Sequence, residues 1–163
     1  MKRFSIEVDK QYFNFGSAHF LIFEDGTREE LHGHNYQVSV RVSGTLTAGD
    51  VVMDFIPFKP IVKKCCDGLD HRTLLPRDSP WLRIEAGERE IVVFYKEDRF
   101  VFPARDVRIL PINNTSSERL AEFLAGEILA ATKEALPSSS FDTISVTVQE
   151  SPGQSATYEE RFV

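Results

Sequence analysis

His19, His32 and His34 are three of the four histidines in this chain, and their spacing suits a divalent metal ion. His32 and His34 stand two apart in the run Leu31-His32-Gly33-His34-Asn35-Tyr36. In an extended strand, positions i and i+2 point to the same face, so the two imidazoles project side by side. His19 closes Ser17-Ala18-His19-Phe20, the end of an earlier strand-like stretch able to pair with the second. An isolated H-x-H is common; a third imidazole on a partner strand is what makes a site of it. Three histidine ligands and an open fourth position describe a catalytic zinc centre rather than a structural one.

The elements that must hold these residues are legible from periodicity. From Arg3 to Phe20, Phe4, Ile6 and Val8 alternate with polar residues, and Tyr12, Phe13 and Phe15 follow. Glu24-Asp25-Gly26-Thr27 reads as a loop tip. A second strand runs from about His34 to Ser43, with Tyr36, Val38, Val40 and Val42 on one face. His32 and His34 are in phase with that apolar set, so a bound metal would sit on the core side, partly shielded from water.

Asp54 caps a helix that reaches to about Gly68, with Pro57 and Pro60 tolerated near its first turn. Arg83 to Pro103 reads as an inserted hairpin, with arms Ile91–Tyr95 and Phe100–Phe102. A second helix starts at Thr115 or Ser116 and stops before Pro137, with Leu120, Phe123, Leu124, Ile128 and Leu129 as its apolar stripe. Two strands, Thr143–Glu150 and Ser155–Phe162, close the chain. The expected fold is α+β: a four-stranded antiparallel sheet with two helices on one face and an inserted β-hairpin at about 84–109, all in one domain over 1–163.

At 163 residues the chain is long enough for a real core. A formal charge of −6 without a basic cluster speaks against nucleic acid as a partner. No apolar run approaches a membrane span, and Met1-Lys2-Arg3-Phe4-Ser5 lacks the apolar stretch of a signal peptide. Cys65 and Cys66 are adjacent, which disfavours a mutual disulfide, so a reducing cytoplasm is the expected setting.

Ser17-Ala18-His19-Phe20, Leu31 to Tyr36, Val52-Met53-Asp54-Phe55, Leu69-Asp70-His71, Ser116-Ser117-Glu118 and Glu150-Ser151-Pro152 resemble, in order and spacing, the 6-pyruvoyl-tetrahydropterin synthase family, which includes the 6-carboxy-tetrahydropterin synthases. The resemblance covers nearly the whole chain apart from the hairpin. It implies the tunnelling fold, in which subunits join edge strands into a barrel and trimers stack into a homo-hexamer with sites between subunits. It implies zinc at His19, His32 and His34 and a dihydropterin substrate. Asp70 and His71 look like the family's acid/base pair. Glu150 resembles its pterin anchor, and Glu118 with Ser116 and Ser117 resembles a second pterin contact. Thr115-Ser116-Ser117-Glu118 also reads as a helix capping box.

One position departs from the pattern. The family's pyruvoyl- and carboxy-forming members carry a cysteine shortly before the H-x-H, whereas here the approach is Gly26-Thr27-Arg28-Glu29-Glu30-Leu31. This looks like the subgroup with glutamate in that place, with Glu29 as the matching residue. That subgroup cleaves the side chain of 7,8-dihydroneopterin triphosphate to 6-hydroxymethyl-7,8-dihydropterin, a folate precursor. The expected activity is therefore a zinc-dependent lyase with Glu29 as general base. A 6-pyruvoyl- or 6-carboxy-tetrahydropterin synthase with a non-cysteine base and a non-catalytic pterin-binding member stay open. Arg28, Lys59, Lys63 and Arg72 are the open choices for binding phosphate.

Overall fold

The computed structural model describes residues 2–162; Met1 and Val163, the ends of the expected 1–163 domain, lie outside the described residues. Its first two strands, β1 (Phe4–His19) and β2 (His32–Gly44), pair antiparallel. Then come α1 (Phe55–Asp67), β3 (Arg72–Pro76), β4 (Arg83–Ala86), β5 (Glu90–Tyr95), β6 (Asp98–Pro103) and β7 (Val107–Leu110). Helix α2 (Ser117–Ala135) and strands β8 (Phe141–Ser151) and β9 (Gln154–Arg161) follow.

Four strands run antiparallel in the order β1-β2-β8-β9, as their alternation demands. The sheet continues beyond them. β3 pairs parallel with β1, and β7 pairs parallel with β3, so the sheet is six-stranded and mixed, in the order β7-β3-β1-β2-β8-β9. This corrects the expectation of a four-stranded antiparallel sheet. β3 and β7 are only five and four residues long, too short for a period to show. Leu74 and Leu75 of β3 are both buried, a continuous apolar run of the kind parallel strands carry. The inserted segment also has one strand more than a hairpin. β4, β5 and β6 form a separate antiparallel sheet, and β4 escaped notice because Ile84 stands between Arg83 and Glu85.

The β1–β2 pairing changes phase midway. Val8 faces Val40 and Asp9 faces Ser39, but the next pairs are Asn14 with Gln37 and Phe15 with Tyr36. Four residues of β1 (Lys10, Gln11, Tyr12 and Phe13) therefore oppose one of β2, Val38. The surplus is three, an odd number, so the inward positions switch from even to odd: Val8 is buried before it, and Phe13, Phe15, Ser17 and His19 after it. Gln37 Nε2 donates to the Lys10 carbonyl at 2.7 Å and satisfies part of the bulged backbone.

Both helices cover the apolar face of the sheet. Asp54 caps α1, its Oδ1 accepting from the Ile56 N–H at 2.8 Å. α1 buries Phe58, Val62 and Cys66, and α2 buries Leu120, Leu124 and Ile128 against Val38, Val40, Ile144 and Val146. A second core joins the inserted sheet to the body of the molecule through Phe20, Ile22, Leu75, Ile91, Val93 and Tyr95. No helix among the described residues is long and apolar enough to cross a membrane.

Leu124 is fully buried where α2 meets the sheet. Leu124→Ala should cost about 2–5 kcal/mol through lost burial and the cavity left behind. Urea unfolding at fixed protein concentration checks this; an unchanged midpoint would place the main core elsewhere.

Candidate active site

The register of β1 on β2 brings the three histidines together. Ser17 pairs with His34 and His19 with His32, so all three rings project from the inward face. Ring centroids lie 4.8 Å apart for His19 and His32, 5.3 Å for His19 and His34, and 4.8 Å for His32 and His34. One nitrogen from each ring lies within 4.8 Å of the others, a group that could hold a metal ion.

The hydrogen bonds around the rings suit that role. His19 Nδ1 faces the Thr115 carbonyl at 2.9 Å and His32 Nδ1 faces the Glu30 carbonyl at 2.7 Å. A carbonyl only accepts, so each ring donates from Nδ1 and keeps the lone pair on Nε2. Burial pushes the His19 imidazole below its ordinary pKa, with the neighbouring histidines adding to the effect, so it stays neutral. His34 Nε2 is buried without a hydrogen-bond partner; Glu150 Oε1 lies 3.4 Å away but not in bonding geometry. A buried polar atom left unpaired costs about 1–3 kcal/mol, and a metal ion at the centre of the triad would satisfy it.

Tyr36, two residues after His34, shares its face and places its hydroxyl 3.1 Å from His19 Nε2. Burial, then the charges of Glu150 and Glu29, push the Tyr36 phenol well above its ordinary pKa. Glu29 Oε2 accepts from the Leu21 N–H at 3.1 Å, and the Glu29 N–H donates to the Leu21 carbonyl at 2.9 Å. Glu150 is the other neighbour, and Ser117 Oγ donates to its Oε2 at 3.4 Å.

Other expected residues lie apart. Ser116 caps α2, its Oγ accepting from the Arg119 N–H at 3.4 Å. The third residue beyond that cap is Arg119, so Thr115 and Glu118 do not form a capping box. Thr115 is buried, donating from Oγ1 to the Phe20 carbonyl at 3.0 Å. Glu118 is exposed at the start of the helix.

Asp70 and His71 do meet each other, Oδ2 to Nδ1, at 2.7 Å. Gly16 fixes them: its N–H donates to Asp70 Oδ1 at 2.7 Å, and its carbonyl accepts from the His71 N–H at 2.8 Å. The Gly16 N–H, and after it the bond to His71, hold the Asp70 carboxyl below the usual range. His71 has φ +54°, a left-handed backbone that costs a non-glycine residue about 1 kcal/mol or more and is found mostly at functional sites. The pair borders an open cavity that reaches Ala18, Gly33, His34 and Asn35. Among the described residues, no hydrogen bond or ion pair joins it to the three rings or to Glu29.

A family model described as 6-pyruvoyl tetrahydropterin synthase matches residues 7–161. The chain belongs to that family. A Methanocaldococcus jannaschii protein, provisionally named a 6-carboxy-5,6,7,8-tetrahydropterin synthase, is 38% identical over 146 residues, which is 88% of each chain. A Plasmodium vivax 6-pyruvoyl tetrahydropterin synthase structure is 33% identical and superposes with a TM-score of 0.91, covering 99% of this chain and 100% of that one. Two further structures of that protein carry alanine or cysteine in place of a glutamate described as its catalytic residue. A Pyrococcus furiosus dihydroneopterin monophosphate aldolase is 41% identical over 61 residues, 37% of this chain and 51% of that protein. The fold is the tunnelling fold of the synthase family.

Sequence reasoning missed Tyr36 as part of the site, since its even position reads equally well as core. It also missed Thr115 and Asn114. Asn114 bonds both backbone groups of Ile22, at 3.3 and 2.9 Å, and so holds the chain just beyond His19. A side chain that mimics a strand partner leaves no periodic trace.

The synthase-family cysteine has no stand-in here. Cys66 is buried in α1, and Cys65 is half-buried on the same helix. Burial pushes Cys65 up to about 11 and Cys66 up to about 12, the reverse of what a thiolate base needs.

Two outcomes follow from this geometry. Cobalt(II) should give the visible absorption of a low-coordinate imidazole site, lost in His19→Ala, His32→Ala and His34→Ala; bands retained in all three would place the metal elsewhere. The folded state holds both thiol protons more tightly than the unfolded chain. Stability is therefore level below the unfolded thiol pKa of about 8.5 and falls as pH rises from there through the folded values. Alkylation by iodoacetamide at pH 8 should be about a hundredfold slower in native than in urea-unfolded protein, and the urea midpoint should drop above pH 9.

Proposed function

We propose that this chain is a zinc-dependent lyase that cleaves the side chain of 7,8-dihydroneopterin triphosphate to 6-hydroxymethyl-7,8-dihydropterin, with Glu29 as general base. One observation carries the reading. Glu29 is anchored through one carboxylate oxygen to the Leu21 N–H, and its charge acts on Tyr36 beside the triad. The catalytic glutamate named for the Plasmodium vivax structures and the aldolase name of the Pyrococcus furiosus relative support it.

His19, His32 and His34 would hold the zinc, each presenting a neutral ring nitrogen. Bound there, zinc supplies Lewis acidity that lowers the pKa of substrate hydroxyls. Glu29 takes the proton from the hydroxyl on the second side-chain carbon. The bond between the first and second carbons then breaks: the second carbon becomes an aldehyde that leaves with the phosphates. The bonding electrons enter the conjugated C=N of the pterin, and a proton returned to the first carbon completes the hydroxymethyl group. A carboxylate is an adequate base for an oxygen-bound proton; a carbon-bound proton asks for a stronger one. Glu150, close to His34 and Ser117, can accept two hydrogen bonds from the pterin's amino group and adjacent ring N–H. Ser116, Ser117 and Glu118 lie at that end of α2 and complete the pterin pocket in this reading.

Asp70 and His71 form the acid/base pair that returns the proton. Their bonding to Gly16, away from the rings, supports a site completed between copies of the chain in a trimer or hexamer. The two free thiols fit a reducing, cytoplasmic setting. A second reading, 6-carboxy-tetrahydropterin synthesis with a non-cysteine base, is favoured by the name of the Methanocaldococcus jannaschii relative.

Mass spectrometry of products after incubating zinc-loaded protein with 7,8-dihydroneopterin triphosphate, or the monophosphate, tests the proposal. 6-Hydroxymethyl-7,8-dihydropterin should form, and Glu29→Gln should slow it by about a hundredfold or more. A pyruvoyl or carboxy product, or full turnover without Glu29, would overturn it.

A further inference from the structure

The segment that carries Glu29 is gripped from outside the main sheet. Arg28, the preceding residue, extends into the second core. Its guanidinium carbon lies 5.0 Å from the ring centre of Phe100, 5.3 Å from Phe20 and 5.5 Å from Tyr95. Nη2 donates to Asp98 Oδ2 at 3.1 Å, and Nη1 donates to the Glu29 carbonyl at 2.6 Å. The side chain is only 13% exposed, and Nε is buried without a partner. The tip of the same segment is held too. The Tyr95 hydroxyl donates to the Gly26 carbonyl, and Gly26, at φ +79°, lies so close to Trp81 that a Cβ there would stand 2.7 Å from the indole.

Tyr95 lies on β5, and Asp98 and Phe100 lie on β6, so three of these contacts come from the inserted sheet. Desolvating a guanidinium is costly, and a cation whose only role was solubility would stay in water. Three aromatic faces and two charge-assisted bonds offset that cost. Their combined effect falls on Glu29. Its N–H is held by the Leu21 carbonyl, its own carbonyl by Arg28, and Oε2 by the Leu21 N–H, which leaves Oε1 free to take a proton.

We propose that Arg28 is a positioning residue for Glu29, and that the inserted sheet is the clamp that holds Arg28 in place. The inference rests on the reading of Glu29 as the base. By fixing the Glu29 carbonyl, Arg28 sets the direction in which the Glu29 side chain leaves the backbone. A displacement of about 1 Å in a catalytic group can cost a hundredfold in rate. The same enclosure takes Arg28 out of the choices for binding the substrate's phosphates.

The test is a kinetic cycle on 7,8-dihydroneopterin triphosphate with wild type, Arg28→Met, Arg28→Lys, Asp98→Asn, Glu29→Gln and the double variant Arg28→Met/Glu29→Gln, each checked for zinc content. Arg28→Met should lower kcat by about ten- to a hundredfold with KM within about twofold, and Arg28→Lys should recover part of the loss. The double variant should be no slower than Glu29→Gln alone, because Arg28 acts through Glu29. Backbone amides from Leu21 to Glu29 should exchange faster in Arg28→Met. Additive losses, a raised KM at unchanged kcat, or wild-type kcat in Arg28→Met beside an inactive Glu29→Gln would overturn the clamp; the last leaves the base assignment standing. Full activity in Glu29→Gln would overturn the base assignment instead, and unaltered amide exchange in Arg28→Met would then overturn the clamp as well. Should Arg28→Met fail to fold, Asp98→Asn, at an exposed partner, carries the same comparison.

Discussion

Antiparallel pairing of His19 with His32 is the constraint on which the rest of the molecule depends. It places three imidazoles on one face at a spacing that no single element could supply. The backbone around the pairing then serves to orient the rings. Backbone carbonyls of Thr115 and Glu30 accept hydrogen bonds from Nδ1 of His19 and His32. The two helices cover the apolar part of the same face. Nε2 of His34 is the one buried ring nitrogen of the cluster left without a hydrogen bond.

The two carboxylates at this face have different surroundings. Glu29 is tied to backbone on the short turn before β2, whereas Glu150 ends a long strand and meets Ser117 from the helix. In the proposed mechanism the first acts on a substrate hydroxyl and the second grips the pterin ring. Asp70 and His71 belong to a third structural unit, the turn between α1 and β3, whose backbone strain is stored at His71 and held by Gly16.

Much of this was legible before any coordinates. The alternation of Tyr36, Val38, Val40 and Val42 carries into His32 and His34, so strand, face and ligands were one signal. The capped start of α1 at Asp54 and the stop of α2 before Pro137 were equally plain. What stayed hidden depends on long-range pairing. β3 and β7 are short buried strands whose partners set their identity. Asn114 acts through two bonds to the Ile22 backbone, and Thr115 through one bond each to Phe20 and His19. Arg28 reads as a surface cation in sequence, because the rings that enclose it lie eight residues before it and about seventy after it.

The bulge in β1 gives the chain a parity. Three surplus residues separate two paired blocks, and any odd surplus turns the inward side chains from even to odd positions. With the bulge kept at its present length, a chain shorter or longer by one residue between Lys10 and Phe13 would slip His19 one position along β2, bringing Ala18 inward and turning His19 to the other face. A change of two would return His19 to the inward face, but two positions away from His32 in the register. The histidine cluster thus depends partly on a residue count, in a stretch of strand that contains none of its members.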